Sequence, residues 1–261
     1  MAFLDELFAA LWADHAATTP AAARLDQLLR ARGEPVRSDH VALVTFDLPR
    51  VEIESVDRAF VAHGYEAAQS YELPDRGLIA SHYEHGRDAR MPKVLIAAVV
   101  VDELSTGARD LVRRLAGAVP AGAEAHPLFA ASGRPWPLST AEHRGLREES
   151  PDAAWAAAFG LRAHHAAIDV GALRGFDGLA PLHRLLEAEG LRIDRAGGEV
   201  LGGPGARLEQ SFLLPDEVDV PMTDGTARLA SGRASLARRQ PDERGELFQG
   251  FEPAHLLPRL G

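Results

Sequence analysis

The chain has 261 residues, of which 46% are apolar and none is cysteine. This length and apolar content suffice for a sizeable core, while the lack of cysteine excludes disulfides, thiolate nucleophiles and cysteine-based metal sites. The net charge of −10 comes without a basic stripe, which argues against nucleic acid as a partner.

Two N-terminal helices are predicted within residues 1–37, at 3–16 and 21–32, from the helical spacing of apolar residues. A first unit follows at residues 38–117. It is predicted to contain a strand, a helix, three further strands and a closing helix, at 40–47, 55–63, 65–72, 77–84, 92–100 and 103–117.

Residues 118–160 are predicted to form a helical connection, with helix starts at Ser139 and Ser150. The second unit and a C-terminal segment occupy residues 161–261. This unit repeats the order of a strand, a helix and then strands, at 164–170, 178–189, 191–196, 199–202, 207–214, 218–222 and 226–238. The Gly-Gly-Pro-Gly run at 202–205 predicts a hairpin turn rather than a phosphate-binding loop, because no helix follows it.

Each unit begins with a similar segment that carries a histidine at the start of a strand. Gly64 lies 24 residues after His40, and Gly190 lies 25 residues after His165. We therefore predict one α+β domain, residues 1–261, in which two βαβββ modules form a curved mixed sheet around a cleft, with added N-terminal and central helices. Two strand-borne imidazoles in one cleft predict a metal site between them.

The apolar run at 94–101 is far shorter than the roughly 18–20 residues needed to cross a bilayer. Asp5 and Glu6 stand where a signal peptide would carry basic residues. We therefore expect a cytoplasmic protein with a small-molecule substrate and no membrane partner. The sequence predicts no particular oligomeric state.

Five stretches carry a resemblance to one enzyme family. They are Ser-Asp-His-Val-Ala-Leu-Val-Thr-Phe at 38–46, Met-Pro-Lys-Val at 91–94, Gly-Leu-Arg-Ala-His-His at 160–165, Leu-Glu-Gln-Ser at 208–211 and Leu-Phe-Gln-Gly-Phe at 247–251. On these stretches the chain resembles the short, vicinal-oxygen-chelate-like proteins related to 2-oxoadipate dioxygenase/decarboxylase, the 2-hydroxyglutarate synthase family.

The resemblance implies a vicinal-oxygen-chelate-like fold and a divalent metal, usually iron, held by two histidines and one glutamate. It also implies the use of O2 to decarboxylate and hydroxylate a 2-oxo acid. On this chain the metal ligands would be His40 and His165, with Fe(II) as the cofactor and O2 as a co-substrate. Where the family has asparagine before the second histidine, this chain has His164, and Ser235 stands at the glutamate position.

Other positions in the substrate pocket also differ from the family. Val44 replaces an arginine suited to binding a carboxylate, and Ser81 and Ala98 replace polar or charged residues. These changes imply a substrate that is shorter or less anionic than 2-oxoadipate. Asp169 shares the strand face of His165, but it lies roughly 13 Å further along the strand, too far to bind the same metal.

Gln210, His85 and Ser235 are the predicted catalytic residues. Gln210 is expected to face the cleft and hydrogen-bond the substrate. His85 matches a Tyr-x-His pattern of the family. Neutral Ser235 is a poor ligand, so a coordination position would stay open to water, an anion or substrate. Strand alternation predicts that His164 points away from His165.

These features support a metal-dependent, dioxygenase-like enzyme that acts on a small oxo or hydroxy acid. One alternative is a non-catalytic member of the same fold that binds a small ligand, since the carboxylate ligand and pocket charges are lost. Another alternative is an isomerase or lyase that uses a two-histidine metal, which the sequence does not separate from the first interpretation.

Overall fold

A computed structural model describes residues 2–258, except 204, 206 and 242. In that part of the chain the helices are α1 (Ala2–Thr18), α2 (Pro20–Ala31), α3 (Ile53–Val56), α4 (Arg58–Val61), α5 (Thr106–Gly117), α6 (Thr140–Glu149), α7 (Pro151–Phe159) and α8 (Leu179–Ala188). The strands are β1 (Ser38–Phe46), β2 (Tyr65–Leu73), β3 (Leu78–His85), β4 (Lys93–Val99), β5 (Ala163–Asp169), β6 (Leu201–Gly203), β7 (Leu208–Phe212), β8 (Glu217–Met222), β9 (Gly225–Ala230) and β10 (Arg233–Arg239).

One mixed sheet contains both modules, with the strand order β2-β3-β4-β1-β5-β10-β7-β6. In each module the first strand pairs in parallel with the last, β1 with β4 and β5 with β10. The modules join where β1 pairs antiparallel with β5. The α+β, vicinal-oxygen-chelate-like fold with two modules is therefore confirmed.

The second module departs from the predicted strands in two places. The predicted strand at 226–238 is two strands, and β9 pairs with β8 in a separate hairpin. The strand is interrupted at Gly232, where a Cβ would lie only 2.8 Å from the carbonyl oxygen of His164. Segment 191–196 forms no strand but a single bridge from Ile193 to Leu213. Residues 204 and 206 of the predicted turn region lie outside the described residues.

Helices α2 and α8 cover one face of the second module. Leu25 of α2 and Leu182 of α8 share a buried cluster with Ile168 and Leu236 of the sheet. Because side chains alternate along a strand, the opposite face carries His165 and Ser235. None of the helices in the described residues is long and apolar enough to cross a membrane.

Gly160, between α7 and β5, offers a test of this packing. Its φ is +74°, and a Cβ would lie 2.4 Å from both Arg134 Cα and the Gly133 oxygen. We expect Gly160→Ala to lower the free energy of unfolding by roughly 2–4 kcal/mol, measured by urea denaturation. The control Gly145→Ala, in α6 with open space around it, should raise it by about 0.5–1 kcal/mol. Equal effects of the two changes would contradict this account.

Candidate metal and substrate site

Two buried histidines meet at the seam between the modules. His40 lies on β1 and His165 on β5, where the register places His165 opposite Ala42. Their Nε2 atoms are 3.2 Å apart, and the rings meet edge to face with centroids 5.2 Å apart. Both side chains are fully buried. The structure thus brings together the two imidazoles that the duplicated segments predicted to converge.

A residue that bulges out of the β1–β5 ladder precedes each histidine. The register shifts by one residue at Asp39 on β1 and at His164 on β5. A bulge interrupts the alternation of side chains, so Asp39 lies beside His40 and His164 beside His165. The prediction that His164 points away from His165 is therefore wrong, since their Nδ1 atoms are 3.4 Å apart.

Asp39 and Arg239 orient His40. The Nδ1 atom of His40 is 2.6 Å from Asp39 Oδ1, and Arg239 donates to both carboxylate oxygens over 2.8 and 3.0 Å. Burial raises the pKa of Asp39, but Arg239 and the hydrogen bond from His40 together hold that pKa well below its usual value. Asp39 is therefore an anion that only accepts hydrogen bonds, so His40 donates its Nδ1–H and leaves a lone pair on Nε2.

The imidazoles of the site are neutral. Burial lowers the pKa of His40 and, more strongly, the pKa values of His165 and His164, because water cannot solvate the cation there. The proximity of His40 lowers the pKa of His165 further. Neutral imidazole is the form that binds a metal.

Four other residues assigned to the site from the sequence share the sheet face of the pair. The strand registers place Ser235, Gln210, Val44 and Asp169 there. Ser235 is buried, and its Oγ donates to the carbonyl of Ala166 over 3.1 Å. The buried Oε1 of Gln210 has no hydrogen-bond partner among the described residues. The roles predicted for these four side chains remain predictions.

His85, Ser81 and Ala98 lie on the opposite sheet face, so the expectation that they line the cleft is corrected. Strand β3 pairs His82 with Leu95 of β4, and that position shares the face of His40. Strand alternation then turns the three predicted residues the other way. Strand alternation limits the cleft face to one of the two histidines of β3; the sequence indicated His85, whereas the register places His82 on the face of His40.

His82 occupies the cleft face instead, and sequence reasoning did not assign it there. It is buried between two polar neighbours, with Nδ1 2.8 Å from the hydroxyl of Tyr71 and Nε2 3.0 Å from Glu84. Burial lowers the pKa of His82. No local signal distinguishes it from His85, because alternation defines two faces without saying which is inside.

Lys93 is a second side chain whose role the sequence did not reveal. It pairs with His40 in the β1–β4 register, is buried, and its Nζ donates to the carbonyls of Ala89 and Met91 over 2.6 and 3.3 Å. It is the single lysine among the chain's 28 lysine and arginine residues. That rarity, together with its place in the Met-Pro-Lys stretch, was a signal that could have marked it.

Phe251, from the C-terminal segment, closes the cleft. Its ring meets the ring of His40 edge to face with centroids 5.0 Å apart, and the guanidinium of Arg239 lies 5.2 Å from the ring centroid. Arg239 also donates to the carbonyls of Phe248 and Gly250 over 2.9 and 2.8 Å. One arginine therefore holds both Asp39 and the segment that covers the site.

A cavity of about 380 Å³ lies among residues of the second module and the C-terminal segment. Its walls include Phe212, Leu201, His255 and Leu257. The ring of Phe212 packs edge to face on His165 with centroids 5.5 Å apart. Phe212 thus belongs to the cavity wall and also contacts His165.

The imidazole pair fits two coordination positions of a divalent metal. Two nitrogens at about 2.0–2.1 Å from one ion lie roughly 2.8–3.4 Å apart, from octahedral to tetrahedral geometry, which brackets the observed 3.2 Å. Asp39 orients His40 as outer carboxylates orient metal-binding histidines. In the described part of the chain, however, no group of three or more His, Cys, Asp or Glu side chains could hold a metal ion.

No protein-family model matches the chain. Its sequence is 28% identical over 204 residues to the chloroplastic 2-oxoadipate dioxygenase/decarboxylase of Arabidopsis thaliana. This similarity agrees with the family resemblance of the five sequence stretches. The match covers 73% of this chain and 55% of the Arabidopsis protein, so this chain spans little more than half the length of that relative.

Two solved structures resemble the fold over nearly its whole length. A Shewanella frigidimarina protein provisionally described as a hydrolase is 37% identical, with a TM-score of 0.90 and coverage of 95% of this chain and 97% of that one. Hydroxyglutarate synthase from Oryza sativa, in complex with 2-oxoadipate, is 22% identical, with a TM-score of 0.88 and coverage of 97% and 89%. At this lower identity, the second likeness concerns the fold alone.

The neutral state of His165 predicts acid sensitivity. Its pKa in the folded chain lies well below the ordinary 6.5, so below about pH 6.5 the unfolded chain binds a proton that the folded chain excludes. This contribution to stability is complete above pH 6.5 and is lost as the pH falls. The unfolding free energy of the unsubstituted chain should therefore fall when the pH is lowered from 7.5 to 5. In His165→Asn we expect this fall to be smaller, by up to about 2 kcal/mol.

Urea denaturation at the two pH values measures this difference. The exposed His63 provides the control, and His63→Asn should keep the original pH dependence. An unchanged pH dependence in His165→Asn would show that His165 does not resist protonation in the folded chain.

Proposed function

We propose that this chain is an enzyme that converts a small 2-oxo or hydroxy acid with the help of a divalent metal, Fe(II), and O2. The observation that carries this proposal is the buried pair of neutral imidazoles, with His40 Nε2 and His165 Nε2 3.2 Å apart. The homology to 2-oxoadipate dioxygenase/decarboxylases supports the reaction class. A metal held by these two histidines would serve as a Lewis acid that orients the substrate.

The protein side chains have separate roles in this proposal. His40 and His165 hold the metal, and Asp39 keeps the Nε2 lone pair of His40 directed at it. The Oε1 of Gln210 has no hydrogen-bond partner in the described part of the chain, and Gln210 is the candidate hydrogen-bond partner of a substrate hydroxyl. Ser235 carries no carboxylate, so the coordination position that a glutamate would take stays open to substrate, water or an anion.

Lys93 is the candidate partner of a substrate carboxylate. No carboxylate of the described residues forms a salt bridge with it, whereas Arg239 is already bonded to Asp39. Burial and then Arg239 lower the pKa of Lys93, while nearby acidic side chains, Asp39 and Glu84 among them, raise it. Because acidic side chains lie near this single ammonium group, a substrate with one carboxylate suits the site better than a substrate with two. The presence of Val44 at the position where the family has an arginine agrees with this.

Ser211, His183 and Glu199 are arranged like the catalytic triad of a hydrolase, but their location does not support a hydrolase function. His183 Nε2 is 2.8 Å from Ser211 Oγ, and His183 Nδ1 is 2.9 Å from Glu199. Ser211 is only 2% exposed, on the sheet face that α8 covers, and a nucleophile must reach the carbonyl it attacks. This row of hydrogen bonds ties α8 to β7 and has a structural role.

Metal binding tests the proposal against a non-catalytic, metal-free alternative. Anaerobic titration with Fe(II) should show one bound ion, which His40→Ala and His165→Ala abolish. Ser235→Glu should tighten binding at least about tenfold, because a charged third ligand is added.

The control is Ser81→Glu, which adds the same charge on the opposite sheet face and should leave the affinity unchanged. Absence of bound Fe(II) from both the unsubstituted chain and Ser235→Glu would favour the metal-free alternative.

The role of Lys93 can be measured without interference from other lysines, because it is the only one. Isotope-labelled lysine should give a single side-chain NMR signal that shifts when a monocarboxylic 2-oxo acid such as pyruvate binds the metal-loaded protein. Lys93→Met should weaken that binding by roughly tenfold or more, since a charge-assisted hydrogen bond is lost.

The exposed Arg90 provides a control in Arg90→Met, which should bind the same acid normally. An unshifted lysine signal, or unchanged affinity in Lys93→Met, would remove Lys93 from the site.

A further inference from the structure

Three imidazoles form a continuous row that ends on Asp39. The Nδ1 atoms of His164 and His165 are 3.4 Å apart, the Nε2 atoms of His165 and His40 are 3.2 Å apart, and His40 Nδ1 lies 2.6 Å from Asp39 Oδ1. All three rings are fully buried. Because Asp39 can only accept a hydrogen bond, the direction of every other bond in the row is determined.

The protons can be assigned one after another from that carboxylate. His40 donates Nδ1–H to Asp39, so its Nε2 is bare and accepts Nε2–H from His165. The Nδ1 of His165 is then bare and accepts Nδ1–H from His164. The last nitrogen, His164 Nε2, carries no proton, and it has no hydrogen-bond partner among the described residues.

A metal between the pair requires a different assignment. Both Nε2 atoms must then offer a lone pair. His40 already does so, but His165 does so only when its proton sits on Nδ1. His165 then donates its Nδ1–H in a hydrogen bond to Nδ1 of His164. That nitrogen must be unprotonated, so the ring proton of His164 is on its Nε2. The row holds three protons before and after this change, so none is gained or lost.

We propose that His164 is a positioning residue for His165. By accepting a hydrogen bond from His165 Nδ1–H, it holds the ring in the tautomer and orientation that bind a metal, as Asp39 does for His40. The inference rests on the proposed metal site. The bulge at His164 is what makes the contact, since strand alternation would turn the side chain away. Outer partners of this kind contribute roughly 10–100-fold to metal affinity.

Titration with cobalt(II) alone tests the proposal. An acceptor at position 164 is the only requirement, so His164→Asn, whose amide oxygen can accept the bond, should retain the original affinity. His164→Leu fills a similar volume without an acceptor and should bind cobalt(II) roughly 10–100-fold more weakly. His143→Leu removes another buried histidine, on α6, and should bind normally. Urea denaturation of each variant establishes that it is folded.

The outcomes separate this inference from the proposed function. If the unsubstituted chain binds no cobalt(II), both are overturned. If that chain binds and His164→Leu binds equally well, or His164→Asn binds as weakly as His164→Leu, only the role of His164 is overturned.

Nitrogen-15 NMR of labelled histidine provides a readout that does not depend on affinity. In metal-free protein, we expect the proton of His165 on Nε2 and that of His164 on Nδ1. Zinc(II), which is diamagnetic, should move them to Nδ1 and Nε2 respectively. A proton already on His165 Nδ1 in metal-free protein, or one that stays on Nε2 when zinc(II) binds, would contradict the proposal.

Discussion

The antiparallel pairing of β1 with β5 is the constraint on which the site depends. It joins the two modules into one sheet and places His40 and His165 on the same face, two residue pairs apart along the ladder. It also contains two bulges, one on each strand, and each bulge places a polar neighbour beside a histidine. Without this seam, each module would carry only one imidazole of the pair.

The ion pair of Asp39 with Arg239 stabilises that seam from the second module. Both side chains are buried, and removing one partner of such a pair costs roughly 3–5 kcal/mol, because the other charge stays uncompensated. The same guanidinium holds the backbone beside Phe251, so orientation of His40 and closure of the cleft depend on one residue. Ser235 lies on the same sheet face as this framework and takes no part in the ion pair that holds it.

The repeated module and the meeting of its two histidines could be predicted, because both follow from local patterns: strand and helix periodicity, and spacing to a glycine. The family resemblance also predicted that Gln210 faces the cleft, and the strand registers place it on the sheet face of His165. Three features could not be predicted. A bulge shifts the register by one residue and has no distinctive sequence, so strand alternation predicted the wrong direction for the side chain of His164. Alternation could not choose between His82 and His85. The cover over His40 comes from Phe251, a contact across more than two hundred residues that no local pattern encodes.

That separation also affects how the molecule forms. Asp39 and Arg239 are 200 positions apart, and loop closure over such a span is slow compared with local pairing. The first module can assemble from neighbouring strands while Asp39 and His40 still lack their counterparts. The pair of imidazoles is therefore expected to form late in folding, and an early intermediate would expose Asp39 and His40 to solvent without Arg239 and His165.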